Sequence, residues 1–267
     1  MNLPLAGILE NLRQKRRRAE WYKRAAREIR DRGRVVALTG AGISVDSGIP
    51  DFRDTGGLWE RFDPMEYAHI DAFRQTPEKT WLLFQEMQGL VDGAQPNPGH
   101  VGLSRLEALG FLCTVITQNV DGLHQRAGNS DVIEYHGNSR SLVCLCCERR
   151  VSRDGFGLEQ YKGLPRCTCG AVLKPDVVLF GEPIPRQSQF RAQVAARQCG
   201  VMLVVGTSAM VYPASEIPQM AKNSGALIVE VNVRETVLTS TVTDIFLEGS
   251  ASVVFPRLLG VLSGMVQ

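Results

Sequence analysis

The sequence of 267 residues lacks any long hydrophobic run, and this absence excludes a large class of proteins at the outset. A membrane-spanning helix needs roughly 20 consecutive apolar residues, and no segment approaches that length. The N-terminal stretch also lacks the apolar core of a secretion signal and the serine-rich, acid-poor composition of a transit peptide. We therefore expect a cytoplasmic protein with no membrane partner.

The chain also has little net charge. Its 30 basic and 28 acidic residues give a formal charge of +2, which is too small to argue for a nucleic-acid partner or an acidic substrate. One segment is distinctly basic, residues 1–33, where Arg16, Arg17 and Arg18 are consecutive. We interpret it as a solvated amphipathic helix that packs on the main domain, with a membrane- or nucleic-acid-binding arm as the alternative.

Short apolar runs alternate with helical patterns along the rest of the chain, without internal repeats. Because these runs do not alternate polar with apolar residues, they are typical of strands buried on both faces. They cover residues 35–38, 111–117, 177–180, 201–205, 226–231 and 244–247. Helical patterns begin at Pro77, Gly99, Gln187 and Pro213. This order predicts an α/β fold with a Rossmann-like doubly wound parallel sheet.

Five of the seven cysteines crowd into one short segment, and their spacing is typical of a zinc site. The two thiolate pairs have nineteen residues between them, and four thiolates close a tetrahedron with no open position, so the metal would be structural. The predicted ligands are Cys144, Cys147, Cys167 and Cys169. Cys146 is a spare thiol, so which cysteines ligate stays open. Free or disulfide-paired thiols are the alternative, although nothing suggests export.

The cysteine-rich segment divides the predicted main domain into two parts. A zinc-binding insert would occupy residues 140–175, and the dinucleotide-binding domain would comprise residues 34–139 and 176–267. Two further cysteines, Cys113 and Cys199, lie in or beside apolar stretches. We expect these two to be inert core residues.

A glycine-rich loop follows the first apolar run but departs from the usual dinucleotide fingerprint. In "VVALTGAGISVDSGIPDFR", residues 35–53, Gly40 and Gly42 come at once, whereas the next glycine is Gly48, six residues later. The standard fingerprint places its third glycine three residues after the second, where a helix opens under a pyrophosphate. The sequence therefore predicts a phosphate cradle without the standard helix start.

Polar side chains follow the second predicted strand in "TQNVDGLHQR", residues 117–126. Gln118, Asn119 and Asp121 would lie at the carboxyl end of the sheet, where open α/β folds bind ligands. Amide and carboxylate groups offer directional donors and acceptors that suit ribose hydroxyls and a carboxamide.

Taken together, these motifs resemble the sirtuin family of NAD-dependent protein-lysine deacylases, from about residue 34 to the end of the chain. The similar segments, in family order, are "GAGISVDSGIPDFR" (40–53), "TQNVDGLHQRAG" (117–128), "YHG" (135–137), "LKPDVVLFGE" (173–182), "VVGTSAMVYPA" (204–214) and "VNV" (231–233). The resemblance implies cleavage of the bond between nicotinamide and ribose, with transfer of the acyl group from lysine to ADP-ribose. NAD would be a co-substrate, zinc a structural metal and acylated lysines of proteins the partners.

The resemblance also implies roles for particular residues. The implied NAD contacts are Gly40, Ala41, Gly42, Ser44, Ile49, Asp51, Phe52, Arg53, Gln118, Asn119, Asp121, Gly206, Thr207, Ser208, Asn232 and Ala251. Asn119 would also position a water, and Phe52 would cover the sugar carbon after nicotinamide leaves. Val178, Phe180, Gly181 and Glu182 would contact the substrate, whose peptide adds as a strand beside this segment.

Among the four histidines, the resemblance implies that His136, in "YHG", is the catalytic base, whereas a lone histidine after a strand would otherwise be structural. A neutral imidazole with a pKa of about 6.5 suits removal of a proton from a ribose hydroxyl near neutral pH. His124 lies inside a motif, but we expect it to be structural. His69 and His100 have no catalytic context.

The acyl preference follows from a short alignment over "TPEKTWLLFQEMQ". In the family that this chain resembles, some bacterial members prefer succinyl-lysine and carry a tyrosine and an arginine three residues apart on the helix that lines the acyl pocket. In this sequence Phe84 and Met87 occupy those two positions. Neither can pair with a carboxylate, so we predict acetyl or longer apolar acyl groups rather than succinyl.

Three other functions remain as alternatives to a deacylase. The resemblance also permits mono-ADP-ribosyl transfer to a protein. A hydride-transferring dehydrogenase is a second alternative, against which the displaced glycine argues. A non-enzymatic NAD-sensing or zinc-ribbon adaptor is the third.

Overall fold

The computed structural model describes residues 5–51, 57–155 and 163–266. The strands are β1 (Val35–Thr39), β2 (Leu112–Thr117), β3 (Val132–Glu134), β4 (Gly137–Cys144), β5 (Arg150–Ser152), β6 (Leu173–Val177), β7 (Val201–Val205), β8 (Leu227–Asn232) and β9 (Ile245–Glu248). The α-helices are α1 (Leu5–Arg32), α2 (Leu58–Arg61), α3 (Pro64–Tyr67), α4 (Ile70–Gln75), α5 (Pro77–Gly93), α6 (Pro98–Ala108), α7 (Leu123–Arg126), α8 (Arg186–Gln198), α9 (Ile217–Asn223) and α10 (Ala251–Val266).

Six strands form one parallel sheet in the order β3-β2-β1-β7-β8-β9. The chain enters the sheet at β1, builds outward to β3, and then returns to the other side of β1 with β7. The carboxyl ends of β1 and β7 are therefore the point at which the strand order reverses. In open α/β sheets this switch point is where a ligand crevice forms. The parallel pairing and the strand order confirm the predicted doubly wound sheet.

Both faces of the sheet are covered, which explains the apolar runs. Every residue of β1 and β7 is buried. On one face, α1, α6 and α10 supply side chains such as Ile29, Leu103 and Phe255 to a single core cluster. On the other face, α8 and α9 supply Ala192 and Ile217. Burial on both faces removes the polar alternation that a half-exposed strand would have.

A second sheet is small and antiparallel, with strand order β5-β4-β6. The predicted strand over residues 177–180 is wrong, because Val177 ends β6 in this sheet rather than joining the main one. Beyond it the chain is held from two sides: the Val178 N–H donates to the His136 carbonyl (2.9 Å) and the Phe180 N–H to the Ala68 carbonyl (2.8 Å).

Several short elements gave too little sequence pattern to be predicted. β3 is three residues long, and α2 and α3 have four residues each. Of these three elements, only α3 begins with a recognisable capping signal in the sequence. The Asp63 side chain accepts from the Met65 N–H at 2.8 Å, and Pro64 occupies the first turn.

No helix within residues 5–51, 57–155 and 163–266 has both the length and the apolar character to cross a membrane.

The loops that follow β1 and β7 touch backbone to backbone. The Gly42 N–H donates to the Gly206 carbonyl at 2.8 Å, and the Gly40 N–H donates to the Val205 carbonyl at 3.0 Å. A Cβ on Gly42 would lie 2.8 Å from the Gly206 Cα, and a Cβ on Gly206 would lie 2.4 Å from the Ile43 nitrogen. Gly206 also has a φ of +56°, which L side chains rarely adopt.

We predict that Gly42→Ala lowers the free energy of unfolding by about 1–3 kcal/mol, because the new methyl group meets backbone that cannot move aside independently. Gly89→Ala is the matched control: this exposed helical glycine has open space around its Cβ position, so the change should raise stability by up to about 1 kcal/mol. Urea unfolding of both variants measures the difference. Equal stability of the two variants would contradict the packing explanation.

Candidate active site

A cleft of about 300 Å³ opens at the carboxyl edge of the parallel sheet, beside the junction of β1 and β7. Its walls come from the loop after β1, the loop after β2, helix α5, the segment after β6 and the loop after β7. Among the residues that line it are Gly40, Gln118, His136, Phe180 and Thr207. Residues distant in sequence therefore meet in one crevice at the switch point.

The glycine loop forms no α-helix but two short 3-10 turns, Ala41–Ile43 and Val45–Ser47. This agrees with the missing helix start. However, Gly40 and Gly42 do not have the role that we expected, which was to direct backbone N–H groups at a phosphate. Their N–H groups are bonded to carbonyls of the β7 end, so they are occupied by protein acceptors rather than directed at a phosphate. Close packing against Gly206 explains why glycine is required there.

Three predicted residues form a hydrogen-bonded group beneath this loop. The Ser44 hydroxyl donates to Asp121 Oδ2 at 2.7 Å, and the Asn119 amide donates to Ser44 Oγ and to the Gly40 carbonyl, both at 3.1 Å. All three side chains are buried. The contacts join the loop after β1 to the loop after β2 and fix the direction of each polar group.

Two further histidines lie behind this group and remain neutral. His124 Nε2 is 2.9 Å from Thr39 Oγ1, and its ring contacts the His100 ring at 5.0 Å between centroids. Burial lowers the pKa of His124 to about 3, and burial also lowers the pKa of His100. Both are structural groups at pH 7, as expected for His124.

His136 lines the cleft, and among the described residues only its Nδ1 has a hydrogen-bond partner. Its Nδ1 lies 3.1 Å from the Gln118 carbonyl, which can only accept, so Nδ1 carries the hydrogen of the neutral ring. Nε2 is then an acceptor. Burial lowers the pKa of His136 below its ordinary value of 6.5, and the bond to Gln118 partly opposes that shift. The ring is therefore neutral and basic at pH 7.

The predicted substrate segment borders the cleft on one side. Its residues Val178, Phe180, Gly181 and Glu182 all line the cavity. The Glu182 carboxylate serves the protein itself: it accepts from the Leu179 N–H at 2.8 Å and pairs with Lys174 at 2.9 Å. Because Lys174 is almost fully buried, this ion pair fixes the turn in which the segment ends.

Helix α5 forms the opposite wall. Phe84 and Met87 both line the cleft, together with Leu83 and Val91 from the same face of the helix. Phe84 is buried and packs edge-on against Trp81, with ring centroids 5.4 Å apart. The structure thus brings the two predicted acyl-pocket positions to the cavity.

The remaining predicted NAD contacts lie in different surroundings. Ala41, Asp51, Thr207 and Ser208 line the cleft with Gly206. Asn232, at the end of β8, donates from Nδ2 to the Thr207 carbonyl at 3.1 Å.

Two others lie in packed interior. Ile49 belongs to a small core cluster with Val91 and Leu123, and Ala251 is buried where α10 meets α6, close to Gly99. Phe52 and Arg53 lie outside the described residues.

The four predicted zinc ligands converge. Their sulfur atoms all lie within 4.8 Å of one another, with 3.5 Å between Cys144 and Cys169 and 3.6 Å between Cys147 and Cys167. Tetrahedral zinc holds thiolates about 2.3 Å from the metal, which separates the sulfurs by about 3.8 Å. The cluster fits a structural zinc ion, and Cys146 is exposed outside it.

The expectation for Cys113 is wrong. It is exposed, because it falls at a register shift in the pairing of β1 with β2, whereas Cys199 is buried as expected.

Asn97 and His69 support the site from outside it, and none of the motifs quoted above indicated either residue. The Asn97 amide donates to the Ile43 carbonyl at 2.7 Å and to Ser47 Oγ at 2.9 Å, which secures the glycine loop. His69 caps α4, and a Cβ on Gly181 would lie 2.7 Å from its Nε2. The Asn-Pro start of α6 is a cap signal that could have indicated the first of these.

Comparison with known proteins gives consistent matches along the chain. A model of the Sir2 family matches residues 40–213. An NAD-dependent protein deacylase 2 of Pyrobaculum aerophilum is 46% identical over 224 residues, which is 84% of this chain and 89% of that protein. An NAD-dependent protein deacylase of Pyrococcus abyssi is 42% identical over 246 residues, which is 91% of this chain and 98% of that protein.

Solved structures are similar as well. A complex of a Sir2 homologue with NAD superposes with a TM-score of 0.81 at 40% identity, covering 87% of this chain and 90% of that one. The structure of Sir2Af2 bound to a myristoylated histone peptide has a TM-score of 0.78 at 36% identity, covering 93% of this chain and 98% of that one.

We predict that the purified chain contains about one zinc ion and that Cys167→Ser removes most of it, because three thiolates cannot close the tetrahedron. Cys146→Ser is the matched control and should keep the metal. Elemental analysis of the two variants decides the ligand set. Equal loss of zinc from the two variants would contradict the predicted ligand set. A wild-type chain with far less than one zinc ion would contradict the zinc site itself.

Proposed function

This chain belongs to the Sir2 family, and from that premise we propose that it is an NAD-dependent protein-lysine deacylase. It would convert acyl-lysine and NAD to lysine, nicotinamide and O-acyl-ADP-ribose. The observation that carries the proposal is His136, a neutral base whose Nδ1 is tied to the Gln118 carbonyl at 3.1 Å within the cleft. Similar proteins named NAD-dependent deacylases support the same activity.

The cleft has the composition that a dinucleotide requires. Short amide, hydroxyl and carboxylate side chains gather where the strand order reverses, which is the usual crevice for such ligands. When bound, NAD would supply an electrophilic sugar carbon with nicotinamide as leaving group. Thr207, Ser208 and Asn232 would hold the adenosine end. Gln118, Asn119 and Asp121 would hold the ribose and carboxamide end.

The chain's own residues would then perform three tasks. Asn119 would orient hydroxyl groups or a water through its amide, whose Nδ2 is already directed by Ser44 and Gly40. His136 would take a proton from a ribose hydroxyl on its available Nε2. The apolar wall around Leu83, Phe84 and Met87 would exclude water from the acyl group.

We predict that His136→Ala lowers kcat/KM for an acetyl-lysine peptide by at least about 100-fold, with an unchanged melting temperature. In the wild type, activity should fall on acidification with a midpoint below pH 6.5, since burial lowers the pKa of His136 and only its neutral form is a base. The kcat/KM profile against pH measures this. An acid limb centred above pH 6.5 would count against the assignment, as would an active alanine variant.

Acylated lysines of proteins would be the substrates, and the acyl pocket would favour apolar chains. Among the cleft-lining residues in the described ranges there is no lysine or arginine, while Glu182 and Asp51 are acidic. A succinyl carboxylate buried there would have no cationic partner among these described residues and would lose its hydration. The myristoylated peptide bound to Sir2Af2 is consistent with a long apolar chain in this pocket.

We predict that an acetyl peptide exceeds the matched succinyl peptide in kcat/KM by at least about 10-fold. The double variant Phe84→Tyr/Met87→Arg should shift that ratio toward succinyl, since it introduces a hydroxyl and a guanidinium able to pair with the carboxylate. Gln85→Arg adds a charge on the exposed face of the same helix and should leave the ratio unchanged. Faster turnover of succinyl by the wild type would overturn the preference.

A further inference from the structure

One buried cation beside the cleft has no role in the proposed mechanism. Lys174, in β6, has a side chain that is only 3% exposed. Its Nζ donates to the Pro175 carbonyl at 3.0 Å and to the Val177 carbonyl at 2.5 Å, and it pairs with Glu182 Oε2 at 2.9 Å. An ammonium group has three hydrogens, so these three acceptors engage it completely. An apolar side chain is often as stable in such a place, so stability alone does not account for a lysine there.

This ammonium group holds the predicted substrate segment at both of its ends. Val177 is the last residue of β6, directly before the segment, and Glu182 is the last residue of the segment. The same Glu182 oxygen accepts from the Leu179 N–H at 2.8 Å, and the Glu182 N–H donates to the Leu179 carbonyl at 3.0 Å. Residues 179–182 therefore form a turn that is bonded to itself and, through the Glu182 carboxylate, to the buried cation.

The first half of the segment is held by other elements. The Val178 N–H donates to the His136 carbonyl at 2.9 Å, and the Phe180 N–H donates to the Ala68 carbonyl at 2.8 Å. The N–H groups of three consecutive residues, 178–180, thus all have protein acceptors before any ligand binds. A peptide that adds beside the segment meets an edge that is already ordered, which lowers the entropy cost of binding.

We propose that Lys174 is a positioning residue for the acyl-lysine peptide, because it keeps the turn at residues 179–182 in the conformation that the peptide meets. Lys174 is not among the described residues that line the cleft, so it acts through Glu182 and the Val177 carbonyl, which both belong to residues that do line it. The inference rests on the proposed deacylase function and deepens it by naming a residue behind the cleft wall that sets affinity for the protein substrate. None of the predicted NAD contacts lies within residues 177–182, so affinity for NAD should not depend on this turn.

Equilibrium binding of two ligands to the same variant tests the proposal. A fluorescent acetyl-lysine peptide and NAD are titrated separately into the wild type and into Lys174→Met, which nearly keeps the side-chain length but removes the charge and the donors. We expect the peptide Kd to rise about tenfold while the NAD Kd stays within about twofold. In turnover, the peptide KM should rise by a similar factor with kcat within about twofold, since the bond between Val178 and the His136 carbonyl does not involve Lys174.

Lys222→Met is the matched control. Lys222 is also ion-paired, with Asp244, but neither residue is among the described residues that line the cleft. This variant should leave the Kd of the peptide and the Kd of NAD unchanged. A loss of affinity for the peptide and NAD alike in Lys174→Met would indicate a general structural role and would overturn the proposal.

A second comparison decides the case in which Lys174→Met does not fold. The double variant Lys174→Met/Glu182→Gln leaves no buried charge unpaired, and the new amide can still accept from the Leu179 N–H. It should bind the peptide at least about fivefold more weakly than Glu182→Gln alone, in which Lys174 retains both carbonyl bonds.

Equal peptide affinity of Lys174→Met and the wild type overturns the proposal, as does equal peptide affinity of the double variant and Glu182→Gln. If the wild type nevertheless deacylates an acetyl peptide, the proposed function stands while this inference fails. If the wild type binds no acyl peptide, both fail.

Discussion

The backbone contact between Gly42 and Gly206 is the constraint on which the active-site architecture depends. It joins the loops after β1 and β7 at the one place where the strand order of the sheet reverses. The Gly42 N–H to Gly206 carbonyl bond is 2.8 Å long and leaves no room for a Cβ on either side, and the loop after β1 continues as two tight 3-10 turns. A helix start of the usual dinucleotide-binding kind is thereby replaced by a loop that reaches across the sheet edge.

The polar groups of the cleft follow from that geometry. Ser44, which lies between the two tight turns, is hydrogen-bonded to Asp121 and Asn119 from the neighbouring strand end, and these bonds connect the two loops. His136 lies beside them with its Nδ1 on the Gln118 carbonyl. The buried pair His100 and His124 stays uncharged behind the group. His136 is thus the histidine that both borders the cleft and offers a ring nitrogen to a ligand.

Much of this could be predicted from the sequence, for identifiable reasons. The strands at Val35 and Val201 are unbroken apolar runs because both sheet faces are covered. The zinc site could be predicted because the spacing of the two cysteine pairs is typical of four zinc ligands. The segment at Val178 is equally apolar but is not a strand of the main sheet, since its N–H groups are claimed by His136 and Ala68. The reason why positions 40 and 42 require glycine could not be predicted, because the backbone that they contact, at Gly206, lies about 160 residues later in the sequence.

Residues that act through others were the least predictable. Asn97 holds the glycine loop, His69 packs against Gly181, and the Asp92–Arg153 pair orients the Gln88 amide. Each contact comes from a different element, and local spacing does not reveal it. The acyl-pocket helix illustrates both cases. Phe84 and Met87 were found through a family resemblance, whereas the unpaired oxygen of Gln88 is visible only once the helix is packed.

The central claim is that the bond between nicotinamide and ribose is broken in step with removal of the acyl group. It is tested most directly by incubating the purified chain with NAD and an acetyl-lysine peptide, then quantifying nicotinamide, free lysine peptide and O-acetyl-ADP-ribose in the same samples. We expect equal amounts of the three products and no reduced cofactor. Deacylation without nicotinamide release, ADP-ribose retained on protein, or accumulation of the reduced dinucleotide would contradict it.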